Sequence, residues 1–405
     1  RSQGGGRDWT CSYCLCSGQR LQKFQRRTAI FPSTQISQRL KLRKLYLFAL
    51  GGNEISPVLT DPETGKMVNP DLPAQWRQAW KTCEKLAEFI VAHQENAYLL
   101  SHGNGPQIGN ILLRSEFAGD MIHKLPIDVC GADTQGALGY MLAQLSNSLR
   151  VRGLDLKTAE IITQVIVDRE DPAFQDPTKF IGPPMTCEEA AEYQKNLGYL
   201  CRYYKLNDQG KEIWRRVVPS PKPREIIEID IIESCLNSGN IPIAVGGGGI
   251  PVVEVEAQKE GNLEHYPCSY DITYQKPVDA PPAKVFCGVE GVIDKDLSSS
   301  LLATSLMERA QKRGEDLQVE LVILTDVDGV KLNYQQPDQE DVRSLSLAEV
   351  KELQQSGIFP SGSMGPKIEA VIAFLESGGQ KAYITNIQVL EQTFAGQAGT
   401  QFLSS

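Results

Sequence analysis

Short apolar runs rich in branched side chains recur along the chain, and several stop at glycine-rich tips. Residues 45–49 (LYLFA) run into 50–53 (LGGN), and 97–100 into 101–107 (SHGNGPQ). The longest such stretch is 241–253 (IPIAVGGGGIPVV), where four consecutive glycines interrupt the apolar positions. Runs without polar alternation predict strands buried on both faces. Between them Trp76, Ala79, Trp80, Cys83, Leu86, Ala87 and Ile90 recur at helical spacing, predicting a helix over 74–93. Further helices are predicted over 134–150 and 225–238, from 291–299 through Arg313, and in the second half of 360–375. Further strands are predicted at 161–167, 320–325 and, as the last, 381–385.

Strand and helix therefore alternate, the pattern of βαβ units on a parallel sheet with helices on both faces. In such sheets ligands sit beyond the carboxyl ends of the strands, so the three glycine tips should converge on one site. Glycine there admits positive φ and a close approach of backbone N–H groups to an anion.

Three stretches break the pattern. Residues 168–217 turn proline-rich, polar and aromatic, and read as a small hairpin-bearing subdomain with a short helix at 187–196. Residues 256–284 have no clear period and read as a surface insertion. Residues 1–43 lack a sustained apolar face and resemble an organellar transit peptide or a disordered tail. The domain proper is then 44–405.

Charge sharpens this picture. Residues 1–44 carry ten Lys/Arg against one acid, so a formal charge of −9 for the whole chain becomes −18 for the rest. An acidic body argues against nucleic acid as a partner, and no run of about 20 apolar residues is present to span a membrane. The expected location is the cytoplasm, or an organelle if the extension is a transit peptide. Ten cysteines without regular spacing favour free thiols. Cys11, Cys14 and Cys16 cluster, but no second Cys/His pair with zinc-finger spacing follows.

Glycine loops with isolated lysines are what phosphoryl transfer requires, since that chemistry depends on positioning and charge neutralisation. Lys367 lies in GSMGPK ahead of a helix, Lys295 lies between Asp294 and Asp296, and Lys179 lies in DPTK within the small subdomain. No GxxxxGK[ST] or HRD/DFG signature occurs, the third glycine of a dinucleotide motif is missing, and no nucleophile elbow accompanies His93, His102, His123 or His265. His102, in the second loop, is either a ligand contact or structural.

The stretches LGGN, SHGNGPQIGN, TQVIVDREDPAFQDPTKFIGP, VPSPKPREIIEID, GGGGIPVV, VIDKDLSS, LVILTDVDGV and GSMGPKIEAVIAF, in this order, resemble the carbamate kinases of the amino acid kinase family. The resemblance implies a three-layer α/β/α sandwich with a mainly parallel sheet, a protruding subdomain near 168–217, and a homodimer. It implies reversible transfer between ATP and carbamate, giving ADP and carbamoyl phosphate with Mg²⁺, often in the direction of ATP in arginine catabolism. By the same resemblance Lys179, Lys295 and Lys367 contact the phosphoryl group and Asp296 orients lysines. Gly51, Gly52, Asn53, Gly248 and Gly249 hold carbamate and the transferring group. Asp326, Val327 and Gly329, with Lys222 nearby, take the nucleotide, and no protein group binds metal directly. Two other readings are a related kinase with a larger carboxylate acceptor such as acetylglutamate, and a non-catalytic nucleotide or carbamoyl phosphate sensor. The larger acceptor calls for an arginine clamp, and no arginine stands out beside the glycine loops.

Overall fold

The computed structural model describes residues 43–57, 59–60, 67–68, 70–207, 210–259, 274–334, 336–359 and 364–405. The basic extension, its cysteine cluster and the middle of the 256–284 stretch lie outside the described residues. In chain order the main strands are β1 (Arg43–Leu50), β2 (Ala97–His102), β3 (Thr158–Glu160), β4 (Gln164–Val167), β5 (Lys179–Met185), β6 (Cys201–Leu206), β7 (Glu212–Val218), β8 (Pro223–Ile226), β9 (Ile241–Ile243), β10 (Ile250–Glu256), β11 (Lys284–Gly288), β12 (Leu317–Leu324), β13 (Ser344–Ser346), β14 (Lys381–Thr385) and β15 (Thr400–Leu403). The main helices are α1 (Leu72–Ala92), α2 (Gly105–Ala118), α3 (Ile127–Leu142), α4 (Leu145–Arg150), α5 (Cys187–Leu197), α6 (Ile229–Asn237), α7 (Lys295–Lys312), α8 (Leu347–Gln355) and α9 (Met364–Glu376).

Eight strands form the central sheet in the order β13-β15-β14-β12-β1-β2-β9-β3. Every pair from β14 to β3 is parallel, while β15 runs antiparallel to β14 and parallel to β13. Strand β1 shows why both faces are apolar. Leu45, Leu47 and Ala49 pack with Leu302 and Leu306 of α7 and with Val371 and Phe374 of α9. Tyr46, Phe48 and Leu50 face the other way, toward Leu86, Phe89 and Ile90 of α1 and Leu138 of α3. Each such side chain contributes roughly 1.5–3 kcal/mol on burial, so covering the sheet on both sides is what holds this three-layer α/β/α sandwich together.

A second sheet, β8-β4-β10-β11, continues the strand that follows the glycine run. The antiparallel sheet β5-β7-β6 and α5 stand in the 168–217 stretch. They ride on α2 where Gly109 meets Gly182: a Cβ on Gly109 would lie 2.0 Å from the Gly182 Cα.

Several expected elements are redrawn. Helix α1 starts at Leu72 because the Asp71 carboxylate accepts the Ala74 N–H at 2.7 Å. Residues 134–150 hold two helices, and the first begins earlier, at Ile127 after Pro126. Residues 223–226 are a strand paired with β4, so only Ile229–Asn237 of the expected 225–238 helix is helical. The 161–167 strand is confined to β4, and the last strand is β15. Cys83, Cys130, Cys187, Cys201 and Cys235 are free thiols, but Cys287 is disulfide-bonded, which their irregular spacing did not announce. Among the described residues no helix is long and apolar enough to cross a membrane.

Candidate active site

The glycine tips of β1, β2 and β9 meet at one cleft of about 550 Å³, which Gly51, Gly52, Gly103 and Gly247 line together with Lys179, Lys222, Lys295, Lys367 and Asp326. Gly51 is required there because a Cβ would stand 2.8 Å from the Leu324 carbonyl oxygen of β12. Asn53 lies in the same turn, Gly52–Glu54.

The four-glycine turn is more constrained than an open cradle. Val245 has φ +47, a region costly for a β-branched residue, and Gly247, Gly248 and Gly249 follow at φ +64, +96 and +86. The surroundings hold it: Val245 N–H donates to Thr163 Oγ1 at 3.1 Å, and Gln135 Nε2 donates to the Gly246 and Thr163 carbonyls at 3.1 and 3.2 Å. Gly248 and Gly249 spend their N–H groups inside the turn, on the carbonyls of Val245 and Gly246. Of the four glycines, Gly247 lines the cleft. His102 is fully buried beneath this turn, where a Cβ on Gly246 would meet its Nε2 at 2.4 Å. Burial pushes its pKa down to about 4, and it is not among the residues that line the cleft.

The lysines are fixed by two aspartates at the start of α7. Asp294 caps the helix through a 2.9 Å bond from the Asp296 N–H, and its other oxygen accepts Lys179 Nζ at 2.6 Å. Asp296 accepts Lys295 Nζ on one oxygen and Lys367 Nζ, at 3.0 Å, on the other. Lys295 also reaches the Ala49 carbonyl at 3.4 Å, and its stem passes over Gly103. Burial alone would raise both carboxyls, but Lys179 beside Asp294 and Lys295 and Lys367 beside Asp296 hold them below the ordinary carboxylate range. Burial lowers the pKa of Lys295. Lys367, which burial would also lower, is held above the ordinary value by Asp296 and Asp294.

The run DKDLSS serves this arrangement. Ser298 donates to the Gly248 carbonyl at 2.7 Å, and Ser299 donates to the Lys295 carbonyl at 2.6 Å and meets Ser101 at 2.6 Å. The N-termini of α2, α7 and α9 all open on the cleft, adding partial positive charge to the ammonium groups.

A second cavity of about 460 Å³ adjoins the first and shares Thr325, Asp326 and Lys367 with it. Val327 and Gly329 line it, as do Tyr334, Ile358, Phe359 and Met364, an apolar set that had not stood out in the sequence. Lys222 sits on the lip of the first cleft instead, 2.7 Å from Glu369. Asn104 and Arg215 also line that first cleft. An arginine is therefore present after all, brought in by the small three-stranded sheet.

A family model described as the amino acid kinase family matches residues 287–386. The carbamate kinase of Thermococcus kodakarensis is 36% identical over 363 residues, covering 88% of this chain and 98% of the relative. The chain belongs to the carbamate kinase family. The Pyrococcus horikoshii carbamate kinase is 38% identical over 325 residues, 79% of this chain and 89% of that one. The solved carbamate kinase of Giardia lamblia bound to AMP-PNP matches with a TM-score of 0.67 at 31% identity, covering 90% of this chain and 99% of that chain. As a member of this family the chain is an ATP-dependent kinase, and its mainly parallel sandwich is the family fold.

Proposed function

We propose that this cleft transfers a phosphoryl group reversibly between ATP and carbamate, and that in the cell it runs toward ATP from carbamoyl phosphate. The observation that carries the reading is the set Lys179–Asp294 and Lys295–Asp296–Lys367 at the tips of three strands, beside a cavity of nucleotide size. Carbamate is small and already nucleophilic through oxygen, so the reaction needs no strong base. Its barrier lies in bringing two anions together and holding the charge that spreads over the transferring group.

Lys295 and Lys367, both oriented by Asp296, face that group from the core, and Lys179 faces it from the small subdomain. The backbone of Gly51, Gly52 and Asn53 closes the carbamate side, with Gly247 opposite; Gly248 and Gly249 shape the turn. Asp326, Val327 and Gly329 sit on the nucleotide side, with Tyr334 and Phe359 against the base, and Lys222 closes the lip. Mg²⁺ would enter this site with the nucleotide and not on protein ligands, because Asp294 and Asp296 are already engaged by lysines. When bound, it would supply charge neutralisation on the phosphates of the nucleotide.

ATP formation from ADP and carbamoyl phosphate with Mg²⁺, run beside acetylglutamate phosphorylation, tests the reading. Activity in the first assay alone is expected. Activity with acetylglutamate alone would move the assignment to a larger acceptor, and ATP binding without either activity would make the chain a sensor.

A homodimer belongs to the same proposal. The outer face of α1 and α3 and the end of α4 expose Trp80 at 55%, Tyr140 at 63% and Val151 at 79%; Trp80 and Val151 line one groove with Trp76, against which Tyr140 packs, an apolar patch of the kind that marks an interface. Trp80→Glu is expected to convert a dimer to a monomer in light scattering; an unaltered dimer mass would place the interface elsewhere.

A further inference from the structure

The cations of the cleft are not equally available to an arriving anion. Lys179 is paired with Asp294, Lys222 with Glu369, and Lys295 and Lys367 share Asp296. An anion that takes any of these must compete with a carboxylate already in place. Arg215 differs. Its Nε and Nη2 donate to the Gly182 carbonyl at 3.2 and 2.7 Å, and its guanidinium lies 5.3 Å from the centre of the Tyr204 ring. Both contacts are neutral, and no carboxylate is among the groups acting on its charge.

Arg215 is thus a partly buried cation in the cleft that no acid among the described residues neutralises. Retaining such a charge costs folding free energy unless a counter-charge arrives. It sits on β7, in the same small sheet whose β5 begins with Lys179, so one element presents a paired and an unpaired cation to the same cleft. A guanidinium offers five donors in a planar fork, and two of them reach Gly182, leaving others for a tetrahedral oxyanion.

We infer that Arg215 is a substrate-binding residue, contacting the phosphoryl oxygens of carbamoyl phosphate from the small subdomain. The inference rests on the proposed reaction and adds a recognition residue to it. Because no ion pair has to break, Arg215 is the first cation to engage the incoming phosphoryl group. Lys179 exchanges Asp294 for the same group as it settles.

The test is steady-state ATP formation by Arg215→Gln and Arg215→Lys, with each substrate varied in turn. Glutamine keeps an amide donor for the Gly182 carbonyl and removes the charge; lysine keeps the charge and removes the fork. Arg215→Gln is expected to raise KM for carbamoyl phosphate about ten- to a hundredfold, as loss of a charge-assisted contact does, with Arg215→Lys between it and the wild type. KM for ADP and calorimetric binding of ADP should be unchanged in both.

An unchanged carbamoyl phosphate KM in Arg215→Gln overturns the inference. So does a rise confined to ADP, or loss of ADP binding, either of which would make Arg215 a nucleotide contact or a support for Gly182. If the wild type forms no ATP from carbamoyl phosphate, it is the proposed reaction that fails, and the two failures are told apart by that first control.

Discussion

Replacing Lys295 or Lys367 by alanine should lower kcat for ATP formation at least about a hundredfold while the far-UV circular dichroism stays that of the wild type. Both ammonium groups are held on one buried carboxylate, Asp296, at the floor of the cleft. There a charge is worth far more to a developing oxyanion than it is at a surface, because little solvent screens it. Position matters as much as charge. Lys295 Nζ is fixed between Asp296 and the Ala49 carbonyl, a point-charge geometry that a planar guanidinium does not reproduce. Lys295→Arg should therefore fail to restore the rate, which a purely electrostatic role without fixed geometry would not predict. Wild-type turnover in either alanine variant would remove both lysines from the chemistry.

Much of this site was open to reading because burial on both sheet faces leaves a strong mark. The runs that became β1, β2 and β12 are apolar at successive positions, and the loops after β1, β2 and β9 carry glycines for reasons of local geometry. What the chain order hides is partnership. Lys367 and Asp296 lie 71 residues apart, and only the packing of α7 against α9 makes them a pair. Arg215, in the run WRRVV, looks like any half-exposed strand residue, and its place in the cleft depends on how the small sheet sits on α2. The four glycines invited a reading as an anion cradle, yet Gly248 and Gly249 use their N–H groups to close the turn. The second half of strand β8 falls in the span expected as helix because its apolar positions are too few to set a period, and pairing with β4 decides the matter.

Asp296→Asn should reveal how strongly the ligand-free site depends on that one carboxylate. The substitution is isosteric but removes the carboxylate that pairs buried Lys295 and partly buried Lys367, and loss of one member of a buried charged group typically costs about 3–5 kcal/mol. The sign with pH follows from the direction of the shift. Asp296 is held below the ordinary carboxylate range when folded, so its contribution is fully present above its unfolded pKa of about 3.9 and is lost as pH falls through the lower folded value. Urea denaturation should therefore find the variant less stable by this amount at neutral pH. The gap to the wild type should narrow only below about pH 4, where the unfolded wild-type carboxyl takes up its proton first. A gap of the same size at every pH would mean that the substitution acts through packing, and would leave the two lysines without the organiser assigned to them.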